Sequence, residues 1–368
     1  MQKLAVKQFE QLFHKELLEA RLTYTRMESF VTPRRLAISI EGLPEKTTDY
    51  IEEKRGPRVD ANAKAIAAFA VSVGLTPEEL LKKDTEKGAF YFAQFSHQGV
   101  LLSHILPSLA ERVIRAFVWP KSMRWNCSEV SWVRPIHHGL SVLNGESLPF
   151  QVNLGGGVSI SFGNSTRGHF FMSPDFVAVT TLNDYIDRLR HRYVIVDWHK
   201  RRESIQSQID SLASSHGLKI CEDDELLDEV TGMVEFPVPL LGEIDKAYMD
   251  LPRELLITVM RHHQRYFAVE EQNGQLAPYF VLVANRVPED GGAQILEGNR
   301  RVLRARLNDA RFFYDQDRKH PLSYFREKLT KMRLIRLKNQ FFGKSRSISL
   351  EYTYLSKKIS VQFSEQYP

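Results

Sequence analysis

The chain has 368 residues, of which 43% are hydrophobic, with 50 Lys and Arg against 45 Asp and Glu for a net charge of +5; that apolar content builds real cores and excludes a disordered chain. No apolar run approaches the roughly eighteen residues of a membrane span, and Met1 leads into an amphipathic segment, so a cytoplasmic protein is expected. Two cysteines, Cys127 and Cys221, outside any CxxC or CxxH pair, exclude a disulfide framework and read as reduced structural thiols.

The excess charge is local. Residues 331 to 368 hold eight basic and two acidic residues, a net of +6, which leaves residues 1 to 330 at −1. Any nucleic-acid contact before residue 331 therefore has to come from basic ridges rather than from a polycationic surface.

In chain order, residues 2 to 22 have the apolar spacing of a helix (Leu4, Phe9, Leu12, Phe13, Leu17, Leu18), and Leu36, Ile38 and Ile40 alternate as a strand entered after Pro33. Ala61 to Val73 predicts a helix stopped by Gly74. Thr76-Pro77-Glu78-Glu79 predicts a capping box opening a short helix. "GAFYFAQF" (88 to 95) reads as a strand and Val100 to Phe117 as a helix disturbed by Pro107. Ile136 to Leu143 and Leu148 to Val152 around Asn144-Gly145 predict a hairpin; Gly155-Gly156-Gly157 then forms a loop or bulge leading to a short strand.

Further on, a strand passes into helices ending at Gly217, an acidic helix runs into a Pro-bounded strand at "VEFPVPLLGEI", "RELLITVMRHHQRYF" is helical, and a hairpin turns at Asn273-Gly274. The fold class expected is α+β, with mixed helices and antiparallel sheets followed by the start of an all-α domain. The division expected is an α+β region at 1 to 130, a second at 131 to 325, and a helical segment at 326 to 368.

Candidate binding residues lie on three basic features. On a wheel of about 100° per residue, Leu303, Leu307, Ala310 and Tyr314 form one stripe, with Arg300, Arg304, Arg311 and Arg318 beside it. Guanidinium forks match phosphate oxygens, but the same spacing also serves a solvated face with ion pairs such as Arg311 with Asp315. "MRHHQRYF" places Arg261 and Arg265 in about one helical turn; its adjacent histidines point apart and are poor joint metal ligands. "TPRRLA" puts Arg34 and Arg35 at a strand entrance, suited to phosphates or to an ion pair. No catalytic residue and no metal site emerges, because there is no P-loop, dinucleotide fingerprint or nucleophile elbow.

Taken together, "TPRRLA" (32 to 37), "KRGP" (54 to 57), "MRW" (123 to 125), "VRPI" (133 to 136), "TRGH" (166 to 169), "VEFPV" (234 to 238), "LPRELL" with "HQRYF" (251 to 267) and "GNRRVLRARLNDARFF" (298 to 313) occur in a characteristic order. In them the chain resembles the beta subunit of the bacterial heterotetrameric glycyl-tRNA synthetase. The resemblance implies an α2β2 ligase that charges tRNA(Gly) with glycine using ATP, with the catalytic core on the alpha subunit and tRNA binding and assembly on this one. It further implies no cofactor on this chain, no DNA and no membrane, and a helical HD-like domain starting near residue 326. The chain departs from the family in lacking an opening Gly-Thr-Glu-Glu-Leu-Pro segment, in reading Gly168-His169-Phe170-Phe171 where the family has Gly-His-Arg-Phe, and in carrying His138 where an aromatic residue is expected. Its end at Pro368 suggests truncation. Two other readings stand beside this one: a stand-alone RNA-binding or interaction module using the Arg300 and Arg261 ridges, and a nonfunctional remnant.

Overall fold

A computed structural model describes residues 2–86, 88–321 and 323–324; the helical domain expected at 326 to 368 and the basic tail lie outside them. The described chain is α+β, as expected, and forms two compact units, one of Met1–Leu241 with Val281–Gly292 and one of Gly242–Phe280 with the chain from Ala293 onward.

The first unit opens with α1 (Gln2–Glu19) and the antiparallel hairpin β1 (Arg26–Val31) and β2 (Leu36–Glu41). The loop between them is Thr32 to Arg35. It is closed by the Thr32 N–H donating to the Arg35 carbonyl at 3.0 Å and the Arg34 N–H donating to Thr32 Oγ1 at 3.2 Å, with Pro33 fixing φ at a turn position that favours it. β3 (Tyr50–Arg58), α2 (Ala63–Ser72), β4 (Leu81–Thr85) and β5 (Gly88–His97) follow, the strands forming an antiparallel sheet in the order β3-β5-β4.

Asn62 caps α2, its Oδ1 accepting from the Ala65 N–H at 2.8 Å, and Gly74 takes φ 73° just after its end, a conformation that costs glycine nothing. The capping box at Thr76 is present, with the Glu79 carboxylate accepting the Thr76 N–H at 2.7 Å, but it opens only the single 3-10 turn Pro77–Glu79. Leu80 is drawn into the core beside Ala70 and Ala93, and the chain extends there into β4.

α3 (Leu102–Ala116) packs Leu102, Leu109 and Val113 against Leu17 and Leu22. Short strands β6 (Gly139–Leu140), β7 (Val142–Leu143), β8 (Glu146–Ser147), β9 (Phe150–Asn153), β10 (Ser159–Gly163), β11 (Ser165–Arg167) and β12 (Phe176–Ala178) come next. The hairpin expected around Asn144-Gly145 exists only as the two-residue arms β7 and β8, the φ values of 53° and 87° being those of a type I′ turn. β9 pairs instead with β10. Gly155, Gly156 and Gly157 all take positive φ and reverse the chain straight after β9, so that Val152, Leu154 and Ile160 bury together with Val130.

The unit continues through α4 (Leu182–His191), α5 (Trp198–Ser215), β13 (Lys219–Ile220) and α6 (Asp224–Thr231), the three helices capped by Thr181, Asp197 and Asp223.

The chain passes from the first unit to the second within β14 (Val238–Glu243), back within β16 (Leu276–Ala284), and to the second again between Gly292 and Ala293. In the second unit, α7 (Arg253–Thr258) does not run on as the single helix expected. It widens into a π-helical turn, Val259–Gln264, which ends at Arg265 in the left-handed region (φ 60°, ψ 40°). β15 (Phe267–Glu270) and β16 are hydrogen-bonded neighbours joined through the expected turn, where Gly274 takes φ 82°. α8 (Ala293–Asp317) packs on the π-helical turn and buries Leu303, Leu307 and Ala310, with Tyr314 only half-buried. Asn299 and Asn308 on α8 accept the Tyr266 and Tyr248 hydroxyls at 2.5 and 2.6 Å.

Candidate functional site

Four motifs far apart in the sequence meet at one buried carboxylate in the first unit. The Glu235 side chain has no exposed surface, and its Oε1 accepts from Thr32 Oγ1 at 2.6 Å and from Arg35 Nε at 3.0 Å. The rest of the Arg35 guanidinium donates to Thr166 Oγ1 at 3.3 Å and the Gly168 carbonyl at 2.8 Å. The Glu235 and Phe236 N–H groups donate to Asn285 Oδ1 at 2.7 and 3.1 Å, and Arg134 reaches the Pro33 carbonyl at 3.1 Å. "TPRRLA", "VRPI", "TRGH" and "VEFPV" are thus one polar assembly.

A buried carboxylate is tolerated only when paired and hydrogen-bonded; the assembly supplies both at Oε1, while Oε2 is buried with no hydrogen-bond partner among the described residues. Arg201, also fully buried, ties four carbonyls together, those of Val31, Ile195, Val196 and Thr231. Burial pulls its guanidinium down to about 10, opposed by the charges of Glu235 and Asp197, so it stays cationic at neutral pH.

Around this assembly the surface is basic and aromatic. His169 is fully buried, and its Nδ1 accepts the N–H groups of Phe171 at 3.3 Å and Met172 at 3.4 Å. The loop so held presents Phe170 and Phe171 at 50% and 66% exposure. Arg34 lies 4.4 Å over the Phe170 ring, Phe170 meets Phe171 edge-on at 4.9 Å, and Arg286 lies 6.0 Å over Phe171. Arg167 similarly caps Phe176 at 4.4 Å, and His138 stands 5.3 Å from that ring. Burial first, then the charges of Arg167 and Arg35, push the His138 imidazole below its ordinary value. Cations seated on exposed rings offer phosphate attraction together with faces on which bases stack.

The candidate arginines fall into two groups. Arg34 and Arg35 share the β1-β2 loop, where Arg34 is exposed and Arg35 is committed to Glu235. The others lie in the second unit. Arg265 folds back onto the carbonyls of Arg261 and His262, with Arg261 in the π-helical turn itself. On α8, Arg300 lies 3.7 Å from Glu243 and 3.8 Å from Glu297, while Arg304 is exposed.

Arg311 is bound by both carboxylate oxygens of Asp250 and by the Ala247 carbonyl rather than by Asp315 in its own helix; the Arg311 hydrogen bond is the main cause that holds the Asp250 carboxyl below its ordinary value. Sequence reasoning missed Glu235, Arg201, Phe170, Phe171 and Arg286. For Glu235 the signal was there: a lone carboxylate inside the apolar run Val234 to Val238 needs a buried partner. Among the described residues no three His, Cys, Asp or Glu side chains converge on a common point.

The sequence profile of the glycyl-tRNA synthetase beta subunit matches residues 1–341, more than nine-tenths of the chain. The chain belongs to the glycyl-tRNA synthetase beta subunit family. It is 42% identical over 349 residues to the glycine-tRNA ligase beta subunit of Rhodospirillum centenum, covering 89% of this chain and 49% of that protein. To the same subunit of Paracoccus denitrificans it is 43% identical over 305 residues (82% and 44%), and to that of Phenylobacterium zucineum 41% over 331 (89% and 48%). The chain therefore spans about half the length of the curated relatives it matches. No helix among the described residues is long and apolar enough to cross a membrane.

Proposed function

We propose that the chain acts as the beta subunit of glycine-tRNA ligase, binding tRNA(Gly) and assembling with an alpha subunit into an α2β2 enzyme of the cytoplasm that attaches glycine to tRNA at the expense of ATP. The bond-forming chemistry belongs to the alpha subunit in this reading, ATP is consumed by the holoenzyme, and no cofactor is assigned to this chain. The family match over residues 1–341 carries the proposal. The Arg34-Phe170-Phe171-Arg286 rim supports it, because it pairs guanidinium groups with exposed rings on one surface.

In this reading Arg34 and the exposed Arg304 contact RNA, while Arg35 positions the loop that carries Arg34. Co-expression with an alpha subunit, followed by charging of tRNA(Gly) with labelled glycine, tests the proposal. A stable complex that charges tRNA is expected. Absence of both the complex and charging overturns it.

A further inference from the structure

The strand "GAFYFAQF" plays no part in the site above, yet the sheet it centres is built asymmetrically. Side chains alternate between faces along a strand. Tyr91, Ala93 and Phe95 of β5 pack on one side against Phe69 and Ala70 of α2. Phe90 and Phe92 therefore belong to the other side. Directly opposite residues share a face, which adds Arg55 of β3 and Leu81 of β4 beside Phe92, and Arg58 and Lys83 beside Phe90. A bulge between Arg55 and Arg58, at the Gly56-Pro57 pair of "KRGP", brings both arginines onto this face. α2 is pressed close behind, since a Cβ on Gly56 would lie 2.3 Å from the Phe69 ring.

On this face Arg55 lies 3.9 Å over the Phe90 ring, which is itself only 7% exposed, so that the exposed flat group there is the guanidinium, and no carboxylate partners it among the described residues. Lys83 stands 5.8 Å over Phe92 and is shared with Glu53, which also accepts from Gln94 at 3.0 Å; Arg58 is paired with Asp60 at 3.1 Å. Leu81 and Ile51 at the edges are 42% and 58% exposed.

Phe90-x-Phe92-x-x-Phe95 has the aromatic spacing of the RNA-binding strand of an RRM sheet, in which rings two apart face the ligand; by the same alternation the third ring here faces the helix. The topology differs, with three antiparallel strands and a single helix between β3 and β4. The stacking surface does not depend on topology. It needs two flat groups about 6.6 Å apart along a strand, two residues at roughly 3.3 Å each, and cations for the phosphates between them. Arg55 layered on Phe90, and Phe92, meet that need.

We propose that the open face of the β3-β5-β4 sheet binds single-stranded RNA, one unpaired base stacking on the Arg55 guanidinium and the next on Phe92, with Lys83 and Arg58 beside the backbone. The Arg55 guanidinium, with no carboxylate partner among the described residues, and the cations Lys83 and Arg58 beside it favour a polyanion over an apolar protein partner. This surface is separate from the Arg34 rim, and its reading does not require the one above.

The test is fluorescence anisotropy of the whole chain with a labelled oligouridylate of about eight nucleotides, within the usual site size, at about 50 and about 200 mM salt, with an RNA duplex of equal length as control. Phe92→Ala and Arg55→Glu are each expected to weaken single-strand binding about tenfold or more. Phe92→Tyr should retain it, and the thermal unfolding of Arg55→Glu should match wild type. If Phe92→Ala fails to fold, Arg55→Glu decides alone. Oligouridylate affinity unchanged in Arg55→Glu overturns the proposal, and so does loss of alpha-subunit co-purification with RNA affinity intact, which would make the face a protein interface. A chain that supports charging yet fails this test loses this proposal and keeps the functional one.

Discussion

Removing Arg35 strands the Glu235 carboxylate. That carboxylate is wholly buried, the Arg35 side chain is only 13% exposed, and the lone remaining donor to Oε1 would be the Thr32 hydroxyl. Breaking a buried pair from one side typically costs about 3–5 kcal/mol. Glu235→Ala should cost less, about 2 kcal/mol, because Arg35 keeps the Thr166 hydroxyl and the Gly168 carbonyl.

If the two groups answer each other, the double variant is more stable than the summed single losses predict, by about 2 kcal/mol. All four tryptophans, Trp119, Trp125, Trp132 and Trp198, lie in the first unit, so tryptophan emission during thermal or urea unfolding reports on that unit. For a unit of this size about 1 kcal/mol moves Tm by roughly 2–4 °C, and Arg35→Ala should lower it by about 10 °C. A loss below about 1 kcal/mol for Arg35→Ala, or strict additivity in the double variant, would refute the pairing as the organiser of the loop.

Three further outcomes are expected. In the ligase complex, Arg34→Ala and Phe170→Ala should weaken tRNA binding at all sequences alike, Arg34→Ala also reducing the salt slope by about one, with unfolding of the chain within about 0.5 kcal/mol of wild type; filter binding across a salt series checks both. Gly156→Ala should destabilise far more than Gly157→Ala in urea titrations: both take positive φ, but a Cβ on Gly156 would lie 1.8 Å from the Cys127 carbonyl oxygen whereas Gly157 has open space.

Burial raises the Asp228 carboxyl, but hydrogen bonds from Lys3 and Arg202 outweigh it and hold it below its model-peptide value of 3.8. A depressed carboxyl stabilises the fold above the unfolded pKa and ceases to do so as pH falls through the folded one. The gap between wild type and Asp228→Asn, under about 1 kcal/mol for so exposed a cluster, should persist above pH ~5 and close below pH ~3.8 in unfolding measured against pH.

Features governed by local chemistry were legible in the sequence. Gly74 after α2, Asn273-Gly274 between β15 and β16, and the Leu303-Leu307-Ala310 stripe needed only φ preference and helical period. The hairpin at Asn144-Gly145 was found but overextended, because Leu148 to Val152 is as good a partner for β10 as for β7, and local pattern does not choose between them. The π-helical turn was invisible: Val259 to Gln264 carries no local signal that separates it from an α-helix, and the α8 that packs on it lies beyond any local window. At the candidate site the sequence singles out both arginines of the β1-β2 loop but not the difference between them. Arg34 and Arg35 are adjacent and chemically identical, and only a carboxylate two hundred residues along the chain makes one a surface cation and the other an internal tie.

That separation bears on how the protein is made. Thr32 and Glu235 are 203 residues apart, and the Asn285 that holds the Glu235 backbone emerges 50 residues later still. At about 5–20 residues per second of synthesis, the β1-β2 hairpin waits roughly 10–40 s before its acceptor exists. Over much of that interval Phe30 and Ala37 also lack the Val179 to Val196 segment that covers them. The nascent chain thus carries an uncovered apolar hairpin with an unpaired arginine at its tip, and its demand on ribosome-associated chaperones should rise whenever elongation slows between residues 41 and 235.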